Sequence, residues 1–322
     1  VSLAPLTTAA SPEVSVLVPA KDEALNLPEF VRLAREAFLP LPYACELIIV
    51  NDGSIDDTAQ ILADLATKYS FVRVVTHRAQ RGIADALRSA TDAARGNVLV
   101  FYPADLQYLP ADIPGLVQPI IQGDADIVTG VKQGHYEKRF VSSIYNTLCR
   151  WLFGVRVTDL NSVKAYRREV MDIVPSRPDW HRFMVVIAAA QGFTLAERPV
   201  PLHPRRAGKS KFGVGRIPVG VLDLLSVWFQ LKFGRKPMLF FGLLGALLFS
   251  LGFLTGAVAL WLRFGPAHTG FRPLLDLIMI LVIAGITLFG FGFVGELLAG
   301  MREELRGLSR ELERQRRRIE RD

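Results

Sequence analysis

Hydrophobic positions follow two alternating patterns along the first 130 residues. Short runs rich in apolar and β-branched residues occur at 14–18 (VSVLV), 46–50 (ELIIV), 72–75 (VRVV), 98–102 (VLVFY) and 126–130 (DIVTG). Between them, apolar residues recur every three or four positions at 27–38, 58–69 and 83–94, with Gly96 closing the last stretch. The first pattern suits strands buried on both faces, and the second suits helices with one apolar stripe. Their alternation predicts a parallel sheet covered by helices. The first strand-to-helix turn, PAKDEALN (19–26), contains no glycine. The GxGxxG fingerprint is therefore missing, which argues against a dehydrogenase.

Beyond residue 130 the pattern changes. A helix is expected near 138–153, another near 180–191, and a strand at 193–202 (FTLAERPVPL), followed by a basic glycine-containing loop, RRAGKSKFG, at 205–213. The segment 217–233 carries only Asp223 and Lys232, with Trp228 and Phe229 near its end. That composition suits a helix lying in a membrane interface, a plain core helix being the alternative. The run 238–262 has no charge at all. As a helix it would reach about 37 Å, against about 30 Å of bilayer hydrocarbon. A second uncharged run, 277–294, lies between Asp276 and Glu296. The two predict a transmembrane hairpin.

Charge fixes the expected orientation. Lys232, Arg235 and Lys236 precede the first span and Arg302, Arg306 and Arg310 follow the second, whereas the link between the spans carries only Arg263 and Arg272. The positive-inside rule then puts the N-terminal domain and the C-terminal tail in the cytoplasm. Residues 1–13 lack the apolar centre of a signal peptide and are read as a tail. The expected organisation is a tail (1–13), an α/β catalytic domain (14–213), juxtamembrane interfacial helices (214–237), two membrane helices (238–299) and a basic helical tail (300–322). In that last tail Leu305, Leu308, Leu312, Gln315 and Ile319 alternate at three and four residues, a short seam through which a second copy could pair into a homo-oligomer.

Of the 322 residues half are hydrophobic, and the net charge is +7. The excess basic residues crowd the membrane flanks and the tail, so anionic lipid accounts for them better than nucleic acid does. Two cysteines, Cys45 and Cys149, have no metal spacing and are read as small buried residues, and five scattered histidines give no zinc site.

Candidate chemistry gathers where the strand 98–102 ends. The stretch VLVFYPADLQYLP (98–110) supplies one carboxylate, Asp105, and one amide, Gln107, at a sheet edge of the kind that binds ligands. A divalent metal bound there with a nucleotide diphosphate would usually have a second carboxylate, and Pro103 stands in its place.

Four motifs in order carry a family likeness: VSVLVPAKDEALNL, ELIIVNDGSIDDT, the ADLQ at 104–107, and RxxGxSK at 205–211. Over residues 14–212 they resemble the family 2 glycosyltransferases of GT-A fold, most of all the branch of dolichol-phosphate mannose synthase and the bacterial polyprenyl-phosphate glycosyltransferases. The resemblance implies a membrane-bound inverting hexosyltransferase. Such an enzyme moves a hexose from a nucleotide-diphosphate sugar to a polyprenyl or dolichyl phosphate, with Mg²⁺ or Mn²⁺ as cofactor. Two spans after the domain resemble the bacterial glucosyl-type enzymes, which favours UDP-glucose as donor, with GDP-mannose as the alternative, and a bacterial or archaeal inner membrane as the location.

Carried over to this sequence, the family's nucleotide-binding positions fall on Pro19, Lys21, Asp22, Glu23, Asp52, Arg81, Gly82, Ala104 and Asp105. Its metal positions fall on Asp105 and Gln107, with Pro103 replacing the first aspartate of DxDxQ. Its acceptor-phosphate positions fall on Lys132, Arg139, Arg205, Ser210 and Lys211. Asp105, Arg139, Arg205 and Lys211 are the catalytic set, and Asp159 and Ser162 match a DxxS segment. Asp56 and Asp57 are read apart from the family as caps of the helix they open. Two other functions stay open: a non-catalytic membrane adaptor that lost its metal, and a processive polysaccharide synthase. The latter usually has QxxRW, whereas Arg150 and Trp151 here lack the glutamine.

The charge pattern yields a topological prediction. A cysteine placed at Ser309 should be shielded from an impermeant thiol reagent in intact cells, and one in the link 263–272 should be labelled; labelling at 309 would reverse the assignment.

Overall fold

The computed structural model describes residues 12–134, 139–155, 157–160, 162–175, 177, 180–204, 217–265 and 272–319. They divide into two compact units, up to Leu225 and from Ser226 onward.

The first unit is built on a sheet of seven strands: β1 (Val14–Ala20), β2 (Cys45–Asp52), β3 (Val72–His77), β4 (Val98–Phe101), β5 (Ile127–Gln133), β6 (Lys164–Arg167) and β7 (Leu195–Pro201). Their order across the sheet is β3-β2-β1-β4-β6-β5-β7. Strands β1 to β4 run parallel, β5 pairs parallel with β7, and β6 runs antiparallel to both neighbours. Strand β1 lies between β2 and β4 and is buried along almost its whole length, which is why its sequence is apolar but for Ser15, whose hydroxyl donates to the buried Glu46 carboxylate (2.7 Å).

Helices cover the sheet. In α1 (Leu27–Phe38) the buried residues are Leu27, Phe30, Val31, Ala34 and Phe38, one stripe of a 3.6-residue period. Helices α2 (Thr58–Lys68) and α3 (Ile83–Ala93) pack in the same manner through Leu62 and Leu65 and through Ala86, Leu87 and Ala90. The periodicity expected at 27–38, 58–69 and 83–94 thus corresponds to helices within one residue at each end.

Three elements were not read from the sequence. Helix α4 (Ile113–Ile121) holds Pro114 in its first turn and Pro119 near its end, positions that look like breakers but cost little at helix termini. Strand β6 has four residues and begins with a lysine. The short helix α6 (Glu169–Ile173) follows it, after α5 (Arg139–Phe153). At the end of β6, Arg168 donates to the carbonyls of Thr91 (3.1 Å), Ala94 (2.7 Å) and Gly96 (2.8 Å), tying the α3–β4 connection to it. The expected helix near 180–191 is a 3₁₀ turn at Trp180–Phe183 leading into α7 (Met184–Ala190). Cys149 is buried as expected, whereas Cys45 is only half-buried.

Helix α8 (Ile217–Phe233) crosses the boundary between the two units. The second unit then contains α9 (Pro237–Phe264) and α10 (Arg272–Ile319). Both are long and apolar enough to cross a membrane, at 237–264 and over residues 272–305 of α10, and the expected spans lie inside them. The charged tail continues α10 without a break to Ile319. Glycines set how closely the two helices approach. A Cβ on Gly285 would sit 2.7 Å from the Phe249 nitrogen and 2.8 Å from the Gly245 oxygen, and one on Gly252 would sit 2.9 Å from Val282 Cγ2. Small residues at such crossings let backbones meet, which provides packing where lipid removes the hydrophobic drive.

Replacing Gly285 by Val should therefore force α9 and α10 apart and cost about 1–3 kcal/mol, the range for overpacking. Gly290→Val is the control, because nothing lies within 4 Å of that site. Thermal unfolding in detergent should show a lower midpoint for the first variant only; equal midpoints would mean the crossing does not hold the hairpin together.

Candidate active site

Chain order reverses between β1 and β4: the strands to one side of β1 are β2 and β3, and those to the other are β4 to β7. In open α/β sheets the crevice outside the carboxyl ends at such a reversal is the usual ligand site. Among the described residues only two other than glycine have positive φ, Asp22 (52°) and Leu106 (56°), and they follow β1 and β4. Strained backbone of this kind clusters at ligand-binding edges, where surrounding contacts hold it.

Asp22 is held by contacts of this kind. Its N–H donates to Ser54 Oγ (3.0 Å), and its carboxylate accepts from the Ile55 N–H (2.9 Å) and from Lys21 Nζ (3.0 Å). Lys21 Nζ also donates to the Gly53 carbonyl (3.0 Å). The Glu23 N–H donates to Thr58 Oγ1 (2.9 Å), and the Glu23 carboxylate accepts from Asn26 (2.7 Å). The loop after β1 and the loop after β2 are thus one woven unit, which brings Lys21, Asp22 and Glu23 beside residues 51–58, with Pro19 half-buried at the end of β1. Asp56 accepts from the Thr58 N–H (3.1 Å), the capping role expected of it, while the N-cap Asp57 makes no side-chain cap bond. Burial would raise the Asp56 carboxyl, but hydrogen bonds from Thr58 and Ala24 outweigh it and hold it below the ordinary value.

Asp52 is buried and occupied from three directions. Its two oxygens accept from the Arg81 and Gly82 N–H groups at 2.8 Å each, and His77 Nδ1 lies 2.8 Å from Oδ1. His77 Nε2 in turn lies 2.9 Å from Ser89 Oγ on α3. Gly53, at φ 63°, has no room for a side chain, since a Cβ would fall 2.5 Å from the Gln80 nitrogen. Asp52 therefore shapes the Arg81–Gly82 turn directly. His77 was missed because a single histidine at a strand end carries no spacing signal; only the fold sets it against Asp52.

After β4 the side chains alternate. Tyr102, Ala104, Leu106 and Tyr108 are buried, whereas Pro103, Asp105 and Gln107 are half-buried on the opposite side. Pro103 is thus half-buried like Asp105 and Gln107. The Gln107 N–H donates to Asp105 Oδ1 (3.2 Å), the Tyr102 hydroxyl donates to the Leu109 carbonyl (2.7 Å), and the His203 N–H donates to the Gln107 carbonyl (2.8 Å). Together these fix the loop that presents Asp105. Among the described residues no three His, Cys, Asp or Glu side chains gather into a metal-binding group. The donor set here, one carboxylate and one amide, fits a Mg²⁺-type ion only when substrate phosphates supply further oxygens.

A second cluster lies along the same sheet edge toward β5 and β6. Lys132 is 3.4 Å from Asp159 Oδ2, with side chains 15% and 6% exposed. Asp159 also accepts, through its carbonyl, from Thr129 Oγ1 (2.9 Å). Ser162 Oγ lies 3.2 Å from the Tyr108 hydroxyl, which links this cluster to the Asp105 loop. Lys164, paired with Phe101 across β4 and β6, is 1% exposed, and its Nζ donates to the Ser162 carbonyl (2.8 Å). Burial pulls the Lys164 ammonium down to about 7, opposed by Asp159 and reinforced by Lys132 and Arg182. Burial, then Lys164 and Arg182, bring His181 down to about 3, so its ring is neutral. Of the other residues matched to the acceptor, Arg139 is the first residue of α5. Arg205, Ser210 and Lys211 lie outside the described residues.

The parallel strands and the reversal define an open α/β domain with a crevice of the ligand-binding kind at its strand ends. Residues 15–167 match the family model for glycosyl transferase family 2. A dodecaprenyl-phosphate galacturonate synthase from Rhizobium johnstonii is 29% identical over 300 residues, which cover 89% of this chain and 88% of that protein. An undecaprenyl-phosphate 4-deoxy-4-formamido-L-arabinose transferase from Pseudomonas fluorescens is 29% identical over 307 residues, covering 92% and 87%. The fold is also that of the Mycobacterium tuberculosis glucosyl-3-phosphoglycerate synthase, crystallised with Mn²⁺, UDP and glucosyl-3-phosphoglycerate. That structure has a TM-score of 0.53 and 20% identity, with 68% of this chain and 80% of that one covered. The expected GT-A architecture, a mostly parallel α/β sheet followed by two candidate membrane helices, is therefore the observed one.

Asp52→Asn keeps the shape but puts an amide where two N–H donors need acceptors. It should cost about 1–3 kcal/mol and loosen the 81–82 turn. Urea unfolding and hydrogen exchange at the Arg81 and Gly82 amides check this, and an unchanged midpoint with unchanged exchange would contradict it.

Proposed function

We propose that the protein is a membrane-bound inverting glycosyltransferase that moves a sugar from a nucleotide diphosphate to a polyprenyl phosphate. One observation carries this reading. The two relatives named for polyprenyl-phosphate transfer align over 89% and 92% of this chain, lengths that take in the apolar helices as well as the catalytic domain. A lipid acceptor gives those helices a purpose.

In this reading Lys21, Asp22 and Glu23 after β1, with Pro19 and the Asp52-held Arg81–Gly82 turn, line the nucleotide, and Ala104 lets it approach the β4 edge. Asp105 and Gln107 hold Mg²⁺ or Mn²⁺, which when bound neutralises the leaving diphosphate. Lys132, Arg139, Arg205, Ser210 and Lys211 take the acceptor phosphate. A phosphate oxygen of the acceptor forms the new bond to the anomeric carbon as the bond from that carbon to the diphosphate oxygen breaks, with inversion. The acceptor is already anionic near neutral pH, so no general base is needed. Cationic side chains supply positioning and charge compensation.

The sugar is the finer question. Glucose on UDP is the donor favoured by the two-span arrangement; the relatives' names support a uronic acid or an amino-sugar derivative just as directly, and GDP-mannose completes the set. The catalytic domain and tail face the cytoplasm of a bacterial or archaeal inner membrane, and the tail seam supports pairing of two copies.

Purified full-length protein in detergent, given each nucleotide sugar with a polyprenyl phosphate, should form one lipid-linked product. Asp105→Asn should remove most of that activity, a loss of about a hundredfold or more for a lost electrostatic contact at the reacting centre. Metal should bind weakly to the free protein and more tightly once nucleotide is present. No product with any donor would favour the non-catalytic adaptor, and full activity in chelator would remove Asp105 from the role given to it.

A further inference from the structure

His77 has no part in the reaction proposed above, yet it joins two elements on the donor side. It ends β3 and pairs with Asp52 at the end of β2 across the parallel ladder. Both side chains are buried, at 5% and 7% exposed. A buried carboxylate is costly unless hydrogen bonds replace its water. Three donors do so here: the Arg81 N–H and His77 Nδ1 meet Oδ1, and the Gly82 N–H meets Oδ2, each at 2.8 Å. An ionised carboxylate only accepts, so Nδ1 carries the proton in this contact.

The other ring nitrogen is held as well. Nε2 lies 2.9 Å from Ser89 Oγ on α3. Ser89 comes two helical turns after Gly82, the N-cap of α3, so the hydroxyl and the cap share one face of that helix. The ring is a rigid brace with one end on the carboxylate and the other on the helix that the 81–82 turn opens. Gly53 secures the residues just before the turn, since a Cβ there would fall 2.5 Å from the Gln80 nitrogen and 2.6 Å from the Ala79 carbonyl carbon. Two successive residues at the end of β2 thus fix the connection on two sides. An apolar residue at 77 would leave Asp52 its two backbone donors, but no side chain would set the rotation of the carboxylate. Such fixed placement matters where affinity depends on groups being in position before the ligand arrives.

We propose that His77 is a positioning residue for the nucleotide donor. Through Nδ1 it sets the Asp52 carboxylate, which holds the Arg81–Gly82 turn in the form that binds, while Ser89 fixes the ring. The idea rests on this turn lining the nucleotide, as proposed above.

The two ring nitrogens can be tested apart, because an asparagine amide nitrogen reaches the place of Nδ1 and a glutamine amide nitrogen that of Nε2. The full chain in detergent is titrated with UDP plus Mg²⁺, with farnesyl phosphate as the control ligand, and hydrogen exchange at the Arg81 and Gly82 amides is followed without ligand. His77→Gln should weaken UDP binding about tenfold, the scale of one charged hydrogen bond, and speed exchange at both amides. His77→Asn and Ser89→Ala should stay within about threefold of wild type, since the bond to the carboxylate survives in both, and should keep the amides protected. Farnesyl phosphate binding should not change in any of the three. Equal losses of UDP affinity in His77→Gln and His77→Asn would overturn the proposal, because a residue that only supports the fold makes no distinction between the two nitrogens. Unchanged exchange in His77→Gln, or a matching loss of farnesyl phosphate binding, would overturn it too. Fast exchange in His77→Gln with UDP affinity unchanged separates the two layers: the brace then holds the turn, but the turn is no part of the nucleotide site, and the assignment beneath the proposal fails.

Discussion

The first unit depends on one constraint, the placement of β1 between two parallel neighbours. A strand paired on both sides and covered on both faces must be apolar throughout, and 14–18 is apolar or small at every position. Chain direction then leaves the carboxyl ends of β1, β2 and β4 side by side, with connections that must turn away from each other. No backbone N–H or carbonyl at that edge can be satisfied by a further strand, so the loops there satisfy one another through side chains: Asp22 with Ser54 and Ile55, Glu23 with Thr58, Asp52 with Arg81 and Gly82. The left-handed backbone at Asp22 is tolerated because these contacts over-determine it.

That arrangement explains what could be read in advance. Buried strands announce themselves as apolar runs and their helices as periodic stripes, so β1 to β5 and α1 to α3 were legible. Strand β6 was not. It has four residues, it is inserted antiparallel between β4 and β5 after a long excursion, and its first residue is a lysine whose charge argues against a buried strand until its bond to the Ser162 carbonyl is seen. Helix α4 was hidden by two prolines whose harmlessness depends on their positions at the helix ends.

Site residues divide in the same manner. Those adjacent in sequence to a strand end, Lys21 to Glu23 and Asp105 to Gln107, could be found from the motif and the edge rule together. Residues that act by reaching across the fold could not. His77 matters through Asp52, twenty-five residues away, and Arg168 matters through carbonyls more than seventy residues earlier. Asp52 shows the difference within a single residue: its position was legible, but the engagement of both its oxygens by the 81–82 turn was not.

The two ends of the site answer opposite electrostatic problems. Donor and acceptor in the proposed reaction are both phosphates, and bringing them together in a partly buried crevice concentrates negative charge. At the β4 end the protein adds little of its own, since the loop 103–107 carries one carboxylate, Asp105, beside the amide of Gln107. A site with fewer protein anions binds a bare cation less well, but it also repels a diphosphate less, so the metal and the nucleotide are expected to arrive as partners. At the β5 and β6 end the balance is reversed. Lys132 lies 3.4 Å from Asp159, and among the described residues Lys132 and Arg182 are the cations, and Asp159 the one carboxylate, whose charges act on the buried Lys164. The excess is costly while the crevice is empty and becomes favourable when an anion enters, which is the form that selective stabilisation of a bound phosphate takes in a low-dielectric setting.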